Sequence, residues 1–162
     1  MVEAELKAVV RDVNAVRSAL GQRAPAHKST YVDRYFDYLD RRLAEQGCGL
    51  RVRTITDDSG QTQVFADVLV TVLTALGVEE FIAFRNHCVN YRLAALGREL
   101  LATLVTVSEL EDQTFIELET MAPADDLDAA LEVVRSVLRE LGISEQDLTA
   151  ETYTDAIAQR RR

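Results

Sequence analysis

Tryptophan is absent from this 162-residue chain, and cysteine and proline occur only twice each. Cys48 stands between glycines and Cys88 lies in a strand-like run, so the pair supports neither a disulfide framework nor a zinc cluster. A reducing compartment is the expectation. No apolar run approaches the roughly 18 residues that span a bilayer, and the chain opens on charged residues rather than an apolar signal segment. A soluble, cytoplasmic protein with no membrane contact is therefore expected. Neither a Gly-rich phosphate loop nor a Ser-His-Asp arrangement is present. Bases are also short: 18 Lys and Arg face 27 Asp and Glu, for a net charge of −9. Residues 1–60 are nearly balanced, 10 bases against 9 acids, while residues 61–162 hold 8 against 18. That distribution excludes a nucleic-acid backbone binder, which needs a basic face. The one basic run, Arg160-Arg161-Arg162, reads as a frayed, solvated tail.

What the chain does have is hydrophobic content, 48%, enough for residues 1–162 to form one domain with its own core. In Val2-Glu3-Ala4-Glu5-Leu6-Lys7-Ala8 charged and apolar side chains alternate strictly. A strand's side chains alternate faces, so Glu3, Glu5 and Lys7 share one surface and Val2, Ala4, Leu6 and Ala8 the other. The alternation recurs in Leu50-Arg51-Val52-Arg53 and in Phe115-Ile116-Glu117-Leu118-Glu119. Asp12 can cap a helix carrying Val13, Val16 and Leu20 on one face and ending at Gly21. Further strands are predicted over 29–37, 50–56, 81–93 (one or two), 100–107 and 115–121. A second helix with a buried face runs over 64–76 through Val64, Val68, Leu69, Val72, Leu73 and Leu76. A third starts near Asp125 or Asp126 and ends at Leu141-Gly142, and a short last one lies near 151–158. Ala19-Leu20-Gly21 and Ala75-Leu76-Gly77 form a faint internal repeat, suggesting two strand-helix-strand units in one antiparallel sheet. The fold class is α+β.

Four carboxylates on one sheet face repel one another and need cations to compensate. Lys7, Arg51, Arg53 and Arg92 supply part of that compensation. Surplus carboxylates beside guanidinium groups suit a metal bridged to a polyphosphate: glutamates offer hard oxygen ligands to Mg²⁺ or Mn²⁺, and arginine forks bind phosphoryl oxygens. Phosphoryl or nucleotidyl transfer is the implied chemistry.

Taken in order, Glu3-x-Glu5-x-Lys7, Tyr31-x-Asp33-x-Tyr35-Phe36-Asp37, Leu50-Arg51-Val52-Arg53 and Phe115-Ile116-Glu117-Leu118-Glu119 resemble the CYTH superfamily. That superfamily includes class IV adenylate cyclases, thiamine triphosphatases and inorganic triphosphatases. The resemblance implies an antiparallel sheet curled into a partial or complete tunnel barrel with helices on the outside, through which a triphosphate threads with divalent metal. By position it implies Glu3, Glu5, Glu117 and Glu119 as metal ligands and Glu3, Glu5 and Lys7 as catalytic. Lys7, Arg51, Arg53, Arg85 and Arg92 would hold phosphates, the last two being the nearest bases to an expected basic strand. Small-molecule triphosphates or organic phosphates are the implied substrates, with hydrolysis or conversion of ATP to cyclic AMP as the reaction.

The chain departs from the pattern where Asp57-Asp58-Ser59-Gly60 leads almost directly into a helix, omitting a hairpin between the R-x-R strand and the central helix. An edge left bare in this way could pair with a second copy, giving a homodimer. The rival reading is a domain that binds a phosphorylated ligand or a partner without turnover. The plainest reading of the charged strands is a solvated face on which arginines neutralise glutamates.

Overall fold

The computed structural model describes residues 1–62 and 65–161 of the protein, with the backbone alone for 65–68. Six strands form one antiparallel sheet: β1 (Val2–Val10), β2 (Ala26–Asp37), β3 (Leu50–Asp57), β4 (Glu79–Ala95), β5 (Arg98–Val107) and β6 (Thr114–Ala122). Their spatial order is β1-β6-β5-β4-β2-β3. β1 and β3 are both edges, so the sheet is open and the complete tunnel barrel is not formed among the described residues. The hairpin missing from the sequence is the physical reason: too few strands remain to join the two edges.

Each strand repeats the parity visible in the sequence. On β1, Ala4 and Ala8 are buried while Glu3 and Glu5 are exposed. The apolar side, here the back face, carries helices. α1 (Val13–Gly21) buries Val16 and Leu20, and its first turn is capped by Asp12, whose Oδ1 accepts from the Ala15 N–H at 2.9 Å. α4 (Leu127–Glu140) buries Ala130, Val134, Val137 and Leu138. Together these helices cover Ala8, Leu104, Ile116 and Leu118 in the largest core cluster. Fully burying each such leucine or isoleucine side chain contributes about 1.5–3 kcal/mol.

The predicted strand region over 81–93 is one continuous strand, β4, joined to β5 by Leu96-Gly97. Both turn residues have positive φ, 50° and 79°, the conformation that a two-residue hairpin requires. After β2, Asp37 is buried because its carboxylate accepts from the backbone N–H groups of Tyr38, Leu43 and Ala44 at 2.7, 3.1 and 3.2 Å. It thereby fixes the entry to the one-turn helix α2 (Arg42–Glu45). Those hydrogen bonds favour the anion and pull its pKa down against the opposing effect of burial.

Two expectations change. The second helix, α3 (Phe65–Ala75), buries Leu73 against Phe36 and Val52 beside the β3 edge, but Leu69, Val72 and Leu76 face outward, 46%, 49% and 65% exposed. The side chain of Val68 and all of Val64 lie outside the described residues. An edge strand offers one narrow contact line, and among the described side chains of this strongly apolar helix the row of Val70 and Leu73 is the one covered. The helices also do not all lie on the outside. α5 (Tyr153–Arg160) rests on the charged, front face, where Ile157 and Tyr153 pack with Phe84, Cys88, Val105 and Phe115.

Candidate active site on the front face of the sheet

Strand register shows which side chains become neighbours. Glu5 on β1 pairs with Glu119 on β6, Glu119 with Leu101 on β5, and Leu101 with Arg92 on β4. The next row runs Lys7, Glu117, Thr103, Asn90 and His27. Further along, Phe84 pairs with Asp33 and Asp33 with Arg53, while Tyr35 lies between Ile82 and Arg51. The same parity that puts Glu117 and Glu119 forward puts Phe115 there too. The front face is therefore acidic at one end and aromatic at the other.

Glu3, Glu5 and Glu119 form the acidic end, each offering a carboxylate oxygen within 4.8 Å of the others. Glu119 is half-buried, and its pKa is pushed up to about 7, first by burial, then by a shared hydrogen bond with Glu3 and by the charges of Glu3, Glu5 and Glu117. Burial and the negative charges of Glu117 and Glu3 also raise Glu5, while Lys7 and Arg51 oppose the rise. Arg51 sits on the far edge of the sheet. The three carboxylates offer hard oxygen ligands to a divalent cation such as Mg²⁺ or Mn²⁺, and the raised pKa values reflect burial first and the repulsion among the carboxylates second.

Next to this cluster a cavity of about 720 Å³ extends to Arg92, Arg98, Leu101 and Met121. Arg92 forms no ion pair among the described residues, unlike most of the arginines. A free guanidinium thus stands two strands from the carboxylates, across Leu101.

The other basic residues are differently disposed. Arg53 donates from Nε and Nη2 to the two oxygens of Asp33 at 2.6 and 2.8 Å, and Asn86 Nδ2 donates to Asp33 Oδ2 at 2.8 Å. Asp33 is completely buried, so this fork is what makes its burial tolerable. Burial would lower the Arg53 pKa, but the hydrogen bond and charge of Asp33 raise it overall. The guanidinium also lies over the Tyr31 ring, 4.7 Å from its centroid. Arg51 is looser, 4.0 Å from Asp33 and 42% exposed. Arg85 alternates onto the back face opposite Val32, away from the other site residues.

Lys7 and Glu117 are held by the C-terminal segment. Tyr153 donates its hydroxyl to Glu117 Oε1 at 2.7 Å, and Lys7 Nζ lies 4.5 Å from the centre of the same ring while donating to the Glu151 carbonyl. Burial lowers the Lys7 pKa, and Glu117, Glu5 and Glu151 oppose it. Burial and the Glu117 charge raise that of Tyr153. Phe115 and Phe84 meet Tyr153 edge-on at 5.2 and 6.3 Å. The structure thus brings Glu3, Glu5 and Glu119 together and gives Glu117 a phenol instead. The sequence reading missed Tyr153, Asn86 and Asn90. The one available signal was that Phe84, Phe115 and Tyr35 share the charged face and leave an apolar floor for a helix.

The CYTH domain model matches residues 1–153. No curated protein matches the chain at the sequence level. Among solved structures it is similar to the PH1819 protein from Pyrococcus horikoshii OT3, with a TM-score of 0.82 at 20% identity, covering 99% of this chain and 100% of that one. It is equally similar to a candidate adenylate cyclase from Vibrio parahaemolyticus, with a TM-score of 0.82 at 19% identity and 97% of each chain covered. A candidate adenylyl cyclase from Hippeastrum, described as having a dominant triphosphatase activity, has a TM-score of 0.59 at 15% identity, covering 98% of this chain and 96% of that one. At these identities the structural likeness establishes the fold alone.

Proposed function

The chain belongs to the CYTH domain family, and on that footing we propose that it is a metal-dependent triphosphate-processing protein, acting by hydrolysis rather than by cyclisation of ATP. The observation that carries the reading is the Glu3, Glu5 and Glu119 cluster, with the unpaired Arg92 across Leu101 and a cavity that Glu119 and Arg92 both line. Bound there, Mg²⁺ or Mn²⁺ would neutralise phosphate charge and polarise a phosphoryl oxygen. Glu3, Glu5 and Glu119 would be its ligands. Arg92 and Arg51 would take phosphate oxygens through their guanidinium forks. In the overall reaction water adds to the terminal phosphorus, the bridging P–O bond breaks, and orthophosphate and a diphosphate leave. Hydrolysis asks less of the site, because cyclisation would also require the ribose 3′-hydroxyl to be placed against the α-phosphorus.

One observation favours a second reading, binding without turnover. Arg53 is committed to Asp33, and Lys7 and Glu117 are engaged by Tyr153 and Glu151. Several charge-assisted contacts, each typically about 1.5–3 kcal/mol, are thus unavailable to a ligand, and movement of α5 would free Lys7 and Glu117 from Tyr153 but not Arg53 from Asp33.

Release of orthophosphate and cyclic AMP from ATP, thiamine triphosphate and inorganic tripolyphosphate, with Mg²⁺ or Mn²⁺, separates these readings. Orthophosphate release that disappears in Glu5→Ala supports the hydrolase. Thermal stabilisation by tripolyphosphate without product supports the binding module, and a cyclic AMP product would overturn the preference for hydrolysis.

A further inference from the structure

We propose that the back face carries a second anion site, distinct from the carboxylate cluster and independent of the function proposed for it, which takes the phosphate group of a small phosphorylated ligand. Among the described residues nearly every lysine and arginine is committed to a partner. Twelve arginines stand in ion pairs and Lys7 donates to a backbone carbonyl. Arg17, Lys28, Arg85 and Arg92 are the exceptions, and three of these four gather in one place behind the sheet.

Register explains the gathering. Lys28 pairs with Val89, Thr30 with His87 and Val32 with Arg85, so Lys28, His87 and Arg85 project to the same side of adjacent strands. On the next strand Thr106 pairs with His87. Arg17 approaches from α1. A cleft of about 310 Å³ lies among Arg17, Lys28, His87, Thr30 and Thr106, with Arg85 two residues along β4 on the same face. All four cationic or imidazole side chains are exposed, and none has a hydrogen bond or ion pair among the described residues.

Two carboxylates, Asp57 and Asp58, also line the cleft and offset part of its positive charge, but neither forms an ion pair with Arg17, Lys28 or Arg85 among the described residues. Asp57 Oδ1 accepts from the N–H and hydroxyl of Ser59 and from the N–H of Gln61, at 2.9, 2.6 and 3.1 Å. Asp58 Oδ2 accepts from the Lys28 backbone N–H at 2.9 Å. Both are occupied in shaping the turn after β3. Grouped cations repel one another, and the chain's 27 acidic residues show no shortage of partners. A cleft in which guanidinium, ammonium and imidazole groups converge with two free hydroxyls has the donors that a phosphoryl group takes, in a space that holds one together with a small organic remainder.

The test is calorimetric titration of the intact protein with inorganic pyrophosphate in EDTA at low ionic strength, with amide chemical shifts to locate the site. One binding event is expected, moving the amides of residues 28–30 and 87–89. It weakens at least tenfold in Lys28→Ala/His87→Ala and in Arg17→Glu, and changes less than twofold in Glu5→Ala and Arg92→Ala. The substituted back-face side chains are exposed, and an unchanged amide spectrum elsewhere confirms that each variant is folded. No binding, weakening of less than tenfold in the back-face variants, or loss in Arg92→Ala instead would overturn the proposal.

Discussion

Replacing Glu119 by glutamine removes one negative charge from the Glu3, Glu5 and Glu119 cluster while keeping the side-chain volume. In the folded protein Glu119 titrates at about 7, against 4.5 for an unperturbed glutamate. Between those two values the native state holds a proton that the unfolded chain has released. Stability must therefore fall as pH rises from about 4.5 to about 7, and level off above. Two like charges at the 4.8 Å limit of the cluster repel by about 0.9 kcal/mol in a water-like medium and about 3.5 kcal/mol at an effective dielectric constant of 20. Because Glu119 is half-buried and partly screened by solvent, the net penalty in metal-free protein at pH 8 is about 1–2 kcal/mol. Urea denaturation in EDTA at pH 5 and pH 8 reads this directly. Wild type should lose about 1 kcal/mol or more over that interval relative to Glu119→Gln, and the variant should be the more stable at pH 8 by about 2–4 °C in Tm for each kcal/mol. Parallel pH profiles for the two proteins would refute the electrostatic account of the cluster.

Asp33→Ala leaves the Arg53 guanidinium without its partner in the sheet, and denaturant titration should show a loss of about 3–5 kcal/mol. Tyr153→Phe deletes the hydroxyl that meets Glu117 and should cost about 1.5–3 kcal/mol by the same measurement, with a small change at Lys7 visible as a shifted ε-ammonium resonance. Glu5→Ala should raise the metal-free Tm at pH 8 and lower the apparent pKa of Glu119, followed through its carboxyl carbon shift. Of the two thiols, exposed Cys48 should react quickly with a thiol-specific dye. Buried Cys88, its pKa pushed up to about 12 first by burial, should react only on unfolding.

The faces of the strands were legible because parity is a local property. Glu3, Glu5, Lys7, Arg51, Arg53, Glu117 and Glu119 do share one side of the sheet, as their alternation in the sequence requires. Arg85 and Arg92 differ by an odd number of positions, so parity alone would have placed them on opposite faces. The strand's continuity across residues 79–95, needed to apply that rule, was not apparent from the sequence. Closure was not legible, because it depends on whether two distant edges meet. α3 was read as having one buried apolar face, yet apolar content does not determine how much partner surface a helix finds, and Leu69, Val72 and Leu76 stay outside. The hold of Tyr153 on Glu117 spans 36 residues and its contact with Lys7 spans nearly the whole chain, separations that no local pattern encodes. Asp33 was visible as part of a motif. Its role became apparent only once β3 laid Arg53 beside it and β4 supplied Asn86.

Binding of Mn²⁺ to the front face, followed by the loss of the free-ion paramagnetic resonance signal with and without tripolyphosphate, tests the central claim most directly. The account predicts Mn²⁺ uptake by wild type that tightens when tripolyphosphate is added, strengthens as pH rises through about 7 with the release of the Glu119 proton, and is lost in Glu5→Ala. Uptake that is absent, or is the same in Glu5→Ala as in wild type, would contradict it.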